Sequence, residues 1–204
     1  MKPLALLLFC MLASCPALTN AQRTDWSATS QSPVAGRPGL AKMDARTMRL
    51  IDRMVRAKAD SLKSIEGVCV STPRDVNGLL SIRLTLSGDG MTADPNVTGY
   101  NSVTRLAMER LSALLTDVWA FADVFVDGHT DNVGPYDENM TVSFRRALAV
   151  GNLLIRQGVD SARVEARGFS YDYPLANNHL IEGRDKNRRV EVTICVSSDM
   201  VDHL

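Results

Sequence analysis

Apolar residues recur every third or fourth position between Met43 and about Lys63, at Met48, Ile51, Met54, Val55, Ala59 and Leu62, with Arg and Lys between them. That period predicts an amphipathic helix. Its stripe either packs on its own domain or faces a membrane or partner. Two alternating runs follow, Gly67 to Thr72 and Leu79 to Leu86, on either side of Asn77-Gly78, a dipeptide favoured in hairpin turns. After a Gly-, Asp- and Pro-rich loop reaching Asn101, Val103, Leu106, Ala107, Leu111, Leu114, Leu115 and Val118 mark a helix. Val124-Phe125-Val126 reads as a short central strand bounded by Gly128. A second helix runs from about Ser143 to Gln157, with Ala147, Leu148, Gly151, Leu154 and Ile155 on one face and Gly158 as its stop. Val164 to Phe169 is a third strand, and Val190, Val192, Ile194 and Val196 alternate along a fourth. This order predicts an α+β fold, a mixed β-sheet with helices packed on one face. An amphipathic helix and a hairpin precede it.

The first residues follow a different pattern. Met1-Lys2-Pro3 leads into an apolar stretch from Leu4 to Leu12, one positive charge and then a short hydrophobic run, as in secretory signals. Leu12-Ala13-Ser14-Cys15 resembles a bacterial lipobox, in which Cys15 is lipidated and becomes the new N-terminus. Cleavage after Thr19-Asn20-Ala21 is the competing route and yields a soluble exported chain. Gln22 to about Lys42 is rich in Ser, Thr, Pro, Gly and Gln without an apolar period, and residues 15–42 read as a flexible linker, Pro16 to Lys42 reaching roughly 90 Å if fully stretched. The expected division is a signal at 1–14, a linker at 15–42, a helix leading in at 43–66 and a domain at 67–204.

Composition narrows the class. The chain has 204 residues, 45% apolar and 23% charged, with 23 basic residues balancing 23 acidic ones. Balanced charge argues against binding nucleic acid through bulk electrostatics. Aromatic residues make up 5%, which disfavours base stacking. No apolar run is long enough to span a bilayer. Both cleavage routes remove Cys10 and leave Cys69 and Cys195 in the folded part. Each alternates with β-branched neighbours, so the two are compatible with a bridge in an oxidising compartment or with two unpaired strand cysteines.

Candidate chemistry sits in two places. Val126-Asp127-Gly128-His129-Thr130-Asp131-Asn132-Val133-Gly134 leaves a strand end, followed by Asn139 and by Arg145-Arg146, expected in the first turn of a helix. A cation there opposes the helix dipole and makes sense beside a bound anion. An acid on the neighbouring loop then holds an ammonium, so Asp131 with an arginine would complement a zwitterion such as an amino-acid head. A structural salt bridge between Asp131 and Arg146 is the plainer alternative. The second place is Glu182-Gly183-Arg184-Asp185-Lys186-Asn187-Arg188-Arg189, an anion site or, more commonly for such a mixed run, a solvated face. An enzyme is the competing class, since His129 and Asp131 could ligate a metal, but no third ligand accompanies them. His129 reads instead as a structural turn residue, and no catalytic or metal-ligating set is expected.

Gly128-His129-Thr130-Asp131-Asn132-Val133-Gly134, Asn139, Arg146-Ala147 and Val150 resemble the signature of the OmpA C-terminal-like family. The likeness continues through Gly168-Phe169, Pro174, Ala176, Asn178 and Glu182-Gly183-Arg184 to Asn187-Arg188-Arg189-Val190. The resemblance implies a mixed sheet with helices on one face and non-covalent peptidoglycan binding through the diaminopimelate of the stem peptide, without a cofactor. By position, Asp131 would hold the ammonium of diaminopimelate and Arg146 its carboxylate, and Asn139 and Arg188 would line the pocket. Ser170 stands where the family usually has glycine, Leu180 replaces a frequent threonine, and residues 88–99 match poorly. The expectation is an outer-membrane lipoprotein anchored through Cys15, or else a soluble periplasmic form, that ties the membrane to the wall. An envelope interaction or scaffold module is the alternative.

Overall fold

The computed structural model describes residues 44–65, 68–74, 80–88, 102–116, 119–120 and 122–196. The expected leader, Cys15, the linker and the Asn77-Gly78 turn lie outside them.

Helix α1 (Ala45–Leu62) starts where Asp44 caps it, its carboxylate accepting from the backbone N–H of Arg46 and Thr47 at 2.7 and 2.8 Å. Its buried residues are Ile51, Val55, Ala59 and Leu62, all part of the one hydrophobic core. The apolar stripe therefore packs on its own domain. Strands β1 (Val68–Ser71) and β2 (Ile82–Ser87) form the expected antiparallel hairpin, Val68 opposite Leu86 and Val70 opposite Leu84, and an Arg74–Leu80 bridge extends it. Helix α2 (Ser102–Thr116) follows, then β3 (Asp123–His129), α3 (Tyr136–Arg156), a 3-10 turn (Ser161–Arg163), β4 (Val164–Gly168), α4 (Ile181–Asn187) and β5 (Arg189–Cys195).

The sheet order is β1-β2-β5-β3-β4, antiparallel except for the β3–β4 pair. Strand alternation sorts its two faces. Ile82, Leu84, Leu86, Val124, Val126, Val190, Val192 and Ile194 are buried against Trp119 and the stripes of α1, α2 and α3. Each such side chain contributes about 1.5–3 kcal/mol when fully buried. The Arg163 guanidinium ties the far edge of this layer together, donating to the carbonyls of Leu115, Trp119 and Ala122 at 2.8–3.1 Å.

Two boundaries differ from the sequence expectation. Helix α3 begins at Tyr136, not near Ser143, because its first two turns are polar and show no apolar period; Asp137 and Glu138 in the first turn favour its N-terminus. The run before the last strand contains the short helix α4, which sequence periodicity does not reveal. No disulfide joins Cys69, which is exposed, and Cys195, which is buried. Both lie on the face away from the helices, but β2 separates their strands and Cys69 is level with Glu191 through Thr85. Two strand spacings of roughly 5 Å and four residues of roughly 3.3 Å place them beyond disulfide reach.

Because α1 contributes to the shared core, Ile51→Ala is expected to destabilise the domain by about 2–5 kcal/mol. Thermal unfolding checks this; an unchanged Tm would mean that α1 docks without supporting the fold.

Candidate functional site

The carboxyl ends of β3 and β4 carry the site, and the seating of α3 sets its geometry. A Cβ on Gly128 would lie 1.9 Å from the Ser143 carbonyl oxygen, and one on Gly168 would lie 2.7 Å from the Phe144 nitrogen. Only glycine at both positions lets the α3 backbone rest directly on the two strand ends. The Phe169 N–H then donates to the Gly128 carbonyl at 3.0 Å, the Thr130 N–H to the Ser170 carbonyl at 2.8 Å, and the Ser170 N–H to Ser143 Oγ at 3.0 Å.

Asp131 follows two residues beyond β3 and is 8% exposed. One carboxylate oxygen accepts from the Val133 N–H at 3.1 Å and the other from Arg188 Nη1 at 2.8 Å. Asn139, buried on α3, donates through Nδ2 to the Val133 carbonyl at 2.9 Å and the Gly134 carbonyl at 3.4 Å. Gly134 supplies the positive φ of 91° that turns this loop into the helix. Arg146 lies seven residues after Asn139, on the same helix stripe, and is half-buried, whereas Arg145 is exposed. Helical burial thus separates two arginines that periodicity alone does not distinguish. Neither is in the first turn of α3, so the dipole argument for an anion beside them fails; what remains is the charge of Arg146 on the stripe that holds the Asp131 loop.

The run 182–189 is not a solvated face. Gly183, Asn187 and Arg189 are buried. Asn187 accepts from the N–H groups of Leu175 and Ala176 at 2.7 and 3.0 Å and donates to the Ala176 carbonyl and Asn178 Oδ1, both at 2.8 Å. These bonds fix the 174–178 loop and α4. Arg188 bridges Asp131 and Asp185, and its hydrogen bond to Asp131, reinforced by Asp185, holds the guanidinium above its ordinary pKa. The structure therefore brings Asp131, Asn139 and Arg188 into one bonded set, with Arg188 taking the carboxylate that the plainer sequence reading paired with Arg146. The resemblance placed both residues at one pocket, and the antiparallel register of β3 and β5 makes their pairing: His129 faces Arg189, so Asp131 and Arg188 meet just past the last rung. Val133, Leu180 and Ile181 are exposed in the segments flanking this set, and of the three only Ile181 was not named in the sequence reading.

A family model described as the OmpA family matches residues 101–188. The chain is also 30% identical to the cell wall anchor of the T6SS from Pseudomonas aeruginosa, over 72% of this chain and 99% of that one, with a TM-score of 0.54. The chain belongs to the OmpA family. It is 32% identical to the probable lipoprotein YiaD of Escherichia coli (strain K12), over 74% of this chain and 62% of that protein. It is 28% identical to the peptidoglycan-binding protein ArfA of Mycobacterium tuberculosis (strain ATCC 25618 / H37Rv), over 72% of this chain and 43% of that protein. The chain thus spans less than two thirds of the length of these two curated relatives.

Ser170 accounts physically for the departure from the family pattern noted above. It is fully buried with φ 48°, a left-handed conformation that glycine adopts without penalty. Its hydroxyl donates to the Tyr136 carbonyl at 3.3 Å, offsetting part of that strain.

The sheet face away from the helices holds a cavity of about 360 Å³ lined by Arg83, Asp127, His129, Phe169, Tyr173 and Glu191, among others. His129 is the last residue of β3, not a turn residue, and its ring stacks on Phe169 at a centroid distance of 5.6 Å. Both ring nitrogens are buried without a hydrogen-bond partner. Burial, then the charges of Arg189, Arg83 and Arg167, push its pKa well below the usual 6.5. The same guanidiniums oppose a metal cation there, and among the described residues no cluster of potential ligands occurs.

Two outcomes are expected. Ser170→Gly changes stability by at most ~1 kcal/mol, since relieved strain offsets the lost hydrogen bond, whereas β-branched Ser170→Val costs more than ~2 kcal/mol in chemical denaturation. His129, with its folded pKa below the unfolded one, leaves stability intact above pH 6.5; below that value the unfolded chain takes up the proton first and stability is lost as pH falls. Unfolding free energies at successive pH values should show a shallower acid decline in His129→Phe than in wild type. Parallel curves would remove His129 as the cause.

Proposed function

We propose that this chain is a non-catalytic peptidoglycan-binding domain that grips the diaminopimelate of the stem peptide and tethers the outer membrane to the wall. The observation that carries this reading is the Asp131 carboxylate, fixed by Arg188 and the Val133 N–H at the edge of the helix stripe bearing Asn139 and Arg146. A fixed acid and a cation on the facing helix complement a zwitterionic amino-acid head: the ammonium goes to Asp131 and the carboxylate to Arg146. Arg188 is a positioning residue in this scheme, and Asn139 holds the loop. The names of ArfA and of the P. aeruginosa wall anchor support the same ligand class.

Binding of this kind is passive. A few charge-assisted hydrogen bonds of about 1.5–3 kcal/mol each give reversible attachment. A lipid on Cys15 and a flexible linker would raise the effective concentration of the domain near the wall. YiaD, a probable lipoprotein, supports that anchoring.

Co-sedimentation of the chain with isolated sacculi tests the reading. Wild type is expected to pellet, and Arg146→Ala to lose most of its binding while retaining its circular dichroism and Tm. Asp131→Asn keeps an acceptor for the Val133 N–H but removes the charge, and is expected to weaken pelleting at least tenfold. Wild-type-like pelleting by both variants would sink the pocket. If wild type itself stays in the supernatant, the exposed Val133, Leu180 and Ile181 favour the second reading, an envelope protein-interaction module.

A further inference from the structure

The apolar stripe of α1 faces the core, which leaves its opposite face to solvent. That face carries Arg46, Arg49, Arg53 and Arg56, all exposed, at successive spacings of three, four and three residues. They form one ridge over about 15 Å of helix. Like charges at these spacings repel and destabilise an isolated helix, and Arg46 additionally opposes the dipole from the first turn. The acids of the helix are committed elsewhere. Asp44 caps the N-terminus, Asp52 pairs with Arg74 at 2.6 Å, and Asp60 pairs with Lys63 at 2.8 Å. Among the described residues none of the four guanidiniums forms an ion pair, although the charge of Arg46 acts on Asp44.

We infer that this ridge docks on an anionic phospholipid surface. Guanidinium matches the phosphate of a headgroup bidentately, and four of them in a line suit a planar array of phosphates better than one isolated ion. Leu50, 43% exposed beside Arg46 and Arg53, offers an apolar contact at headgroup depth. Residues 1–43, with the apolar stretch Leu4 to Leu12 and the lipobox-like Cys15, precede this helix, so across the 15–42 linker it is the described element nearest in sequence to a membrane held at that end. The inference does not depend on the wall-binding pocket, which lies at the ends of β3 and β4.

The test is partitioning of the full-length chain onto vesicles of phosphatidylglycerol and phosphatidylcholine, compared with vesicles of phosphatidylcholine alone. The leader is common to every variant, so its own affinity cancels. Wild type is expected to prefer the anionic vesicles and to lose that preference as salt approaches ~1 M, where the screening length falls to about 3 Å. Arg49→Gln/Arg53→Gln is expected to bind the anionic vesicles roughly thirtyfold more weakly, and Arg49→Lys/Arg53→Lys to recover most of the loss. Sacculus pelleting should not change in either variant, and Tm should not fall, since the Gln variant relieves the Arg49–Arg53 repulsion. Equal partitioning of wild type onto both vesicle types, or of the Gln variant and wild type onto anionic ones, overturns the inference. So does a Gln variant that loses sacculi instead, which would assign the ridge to the wall.

Discussion

Everything at the candidate site depends on how closely α3 sits on the ends of β3 and β4. At Gly128 and Gly168 the helix backbone occupies the space that a side chain would need. Once that contact is made, Ser143 meets the Ser170 N–H and Asn139 meets the carbonyls of Val133 and Gly134. The helix then presents Arg146 on the stripe that holds the Asp131 loop. A methyl group at Gly128 would push α3 outward and separate the two halves of the charged set before touching either directly. The glycines act here by permitting approach, not by adopting unusual dihedrals.

Charge is managed differently on the open sheet face and at its loop end. On the face away from the helices, Arg167 pairs with Asp127 at 2.7 and 2.9 Å, and Arg189 and Arg83 both reach Glu191. Asp127 and Glu191 are directly opposite in the β3–β5 register, where like charges repel. Burial raises the Asp127 pKa more than Arg167 lowers it. Three guanidiniums thus meet two acids, so this set has more base than acid. At the loop end, Arg188 is shared between Asp131 and Asp185, and this set has more acid than base before Arg146 is counted. Arg188 therefore orients the Asp131 carboxylate without saturating it.

Elements with a strong apolar period were legible in the sequence. The hairpin, the last strand and the buried stripe of α1 follow from alternation or from a three-to-four spacing, because burial of one face imposes those periods. The start of α3 and the whole of α4 were not legible. Tyr136 to Val142 shows no apolar period, and the residues of α4 are held by tertiary hydrogen bonds through Asn187 and Arg184. Misplacing the start of α3 also produced a wrong physical reason for Arg146, by putting it at a helix dipole that it does not occupy. The family resemblance chose Arg146 over Arg145 by pattern, and burial distinguishes the two physically: Arg145 is exposed and Arg146 half-buried.

Arg188 illustrates the limit of reading chemistry from local sequence. In its own segment it is one of several bases among compensating acids, and nothing local marks it out. Its role is fixed by a partner 57 residues away, which the β3–β5 register brings within one residue of it. The same register carries Arg189 to the opposite face, where it bonds Glu191 and the Tyr173 carbonyl. Two adjacent arginines thus serve opposite sides of the sheet because strand alternation sends them there. Exchanging either for lysine would keep the charge and lose the fork geometry on which both sets of bonds rely.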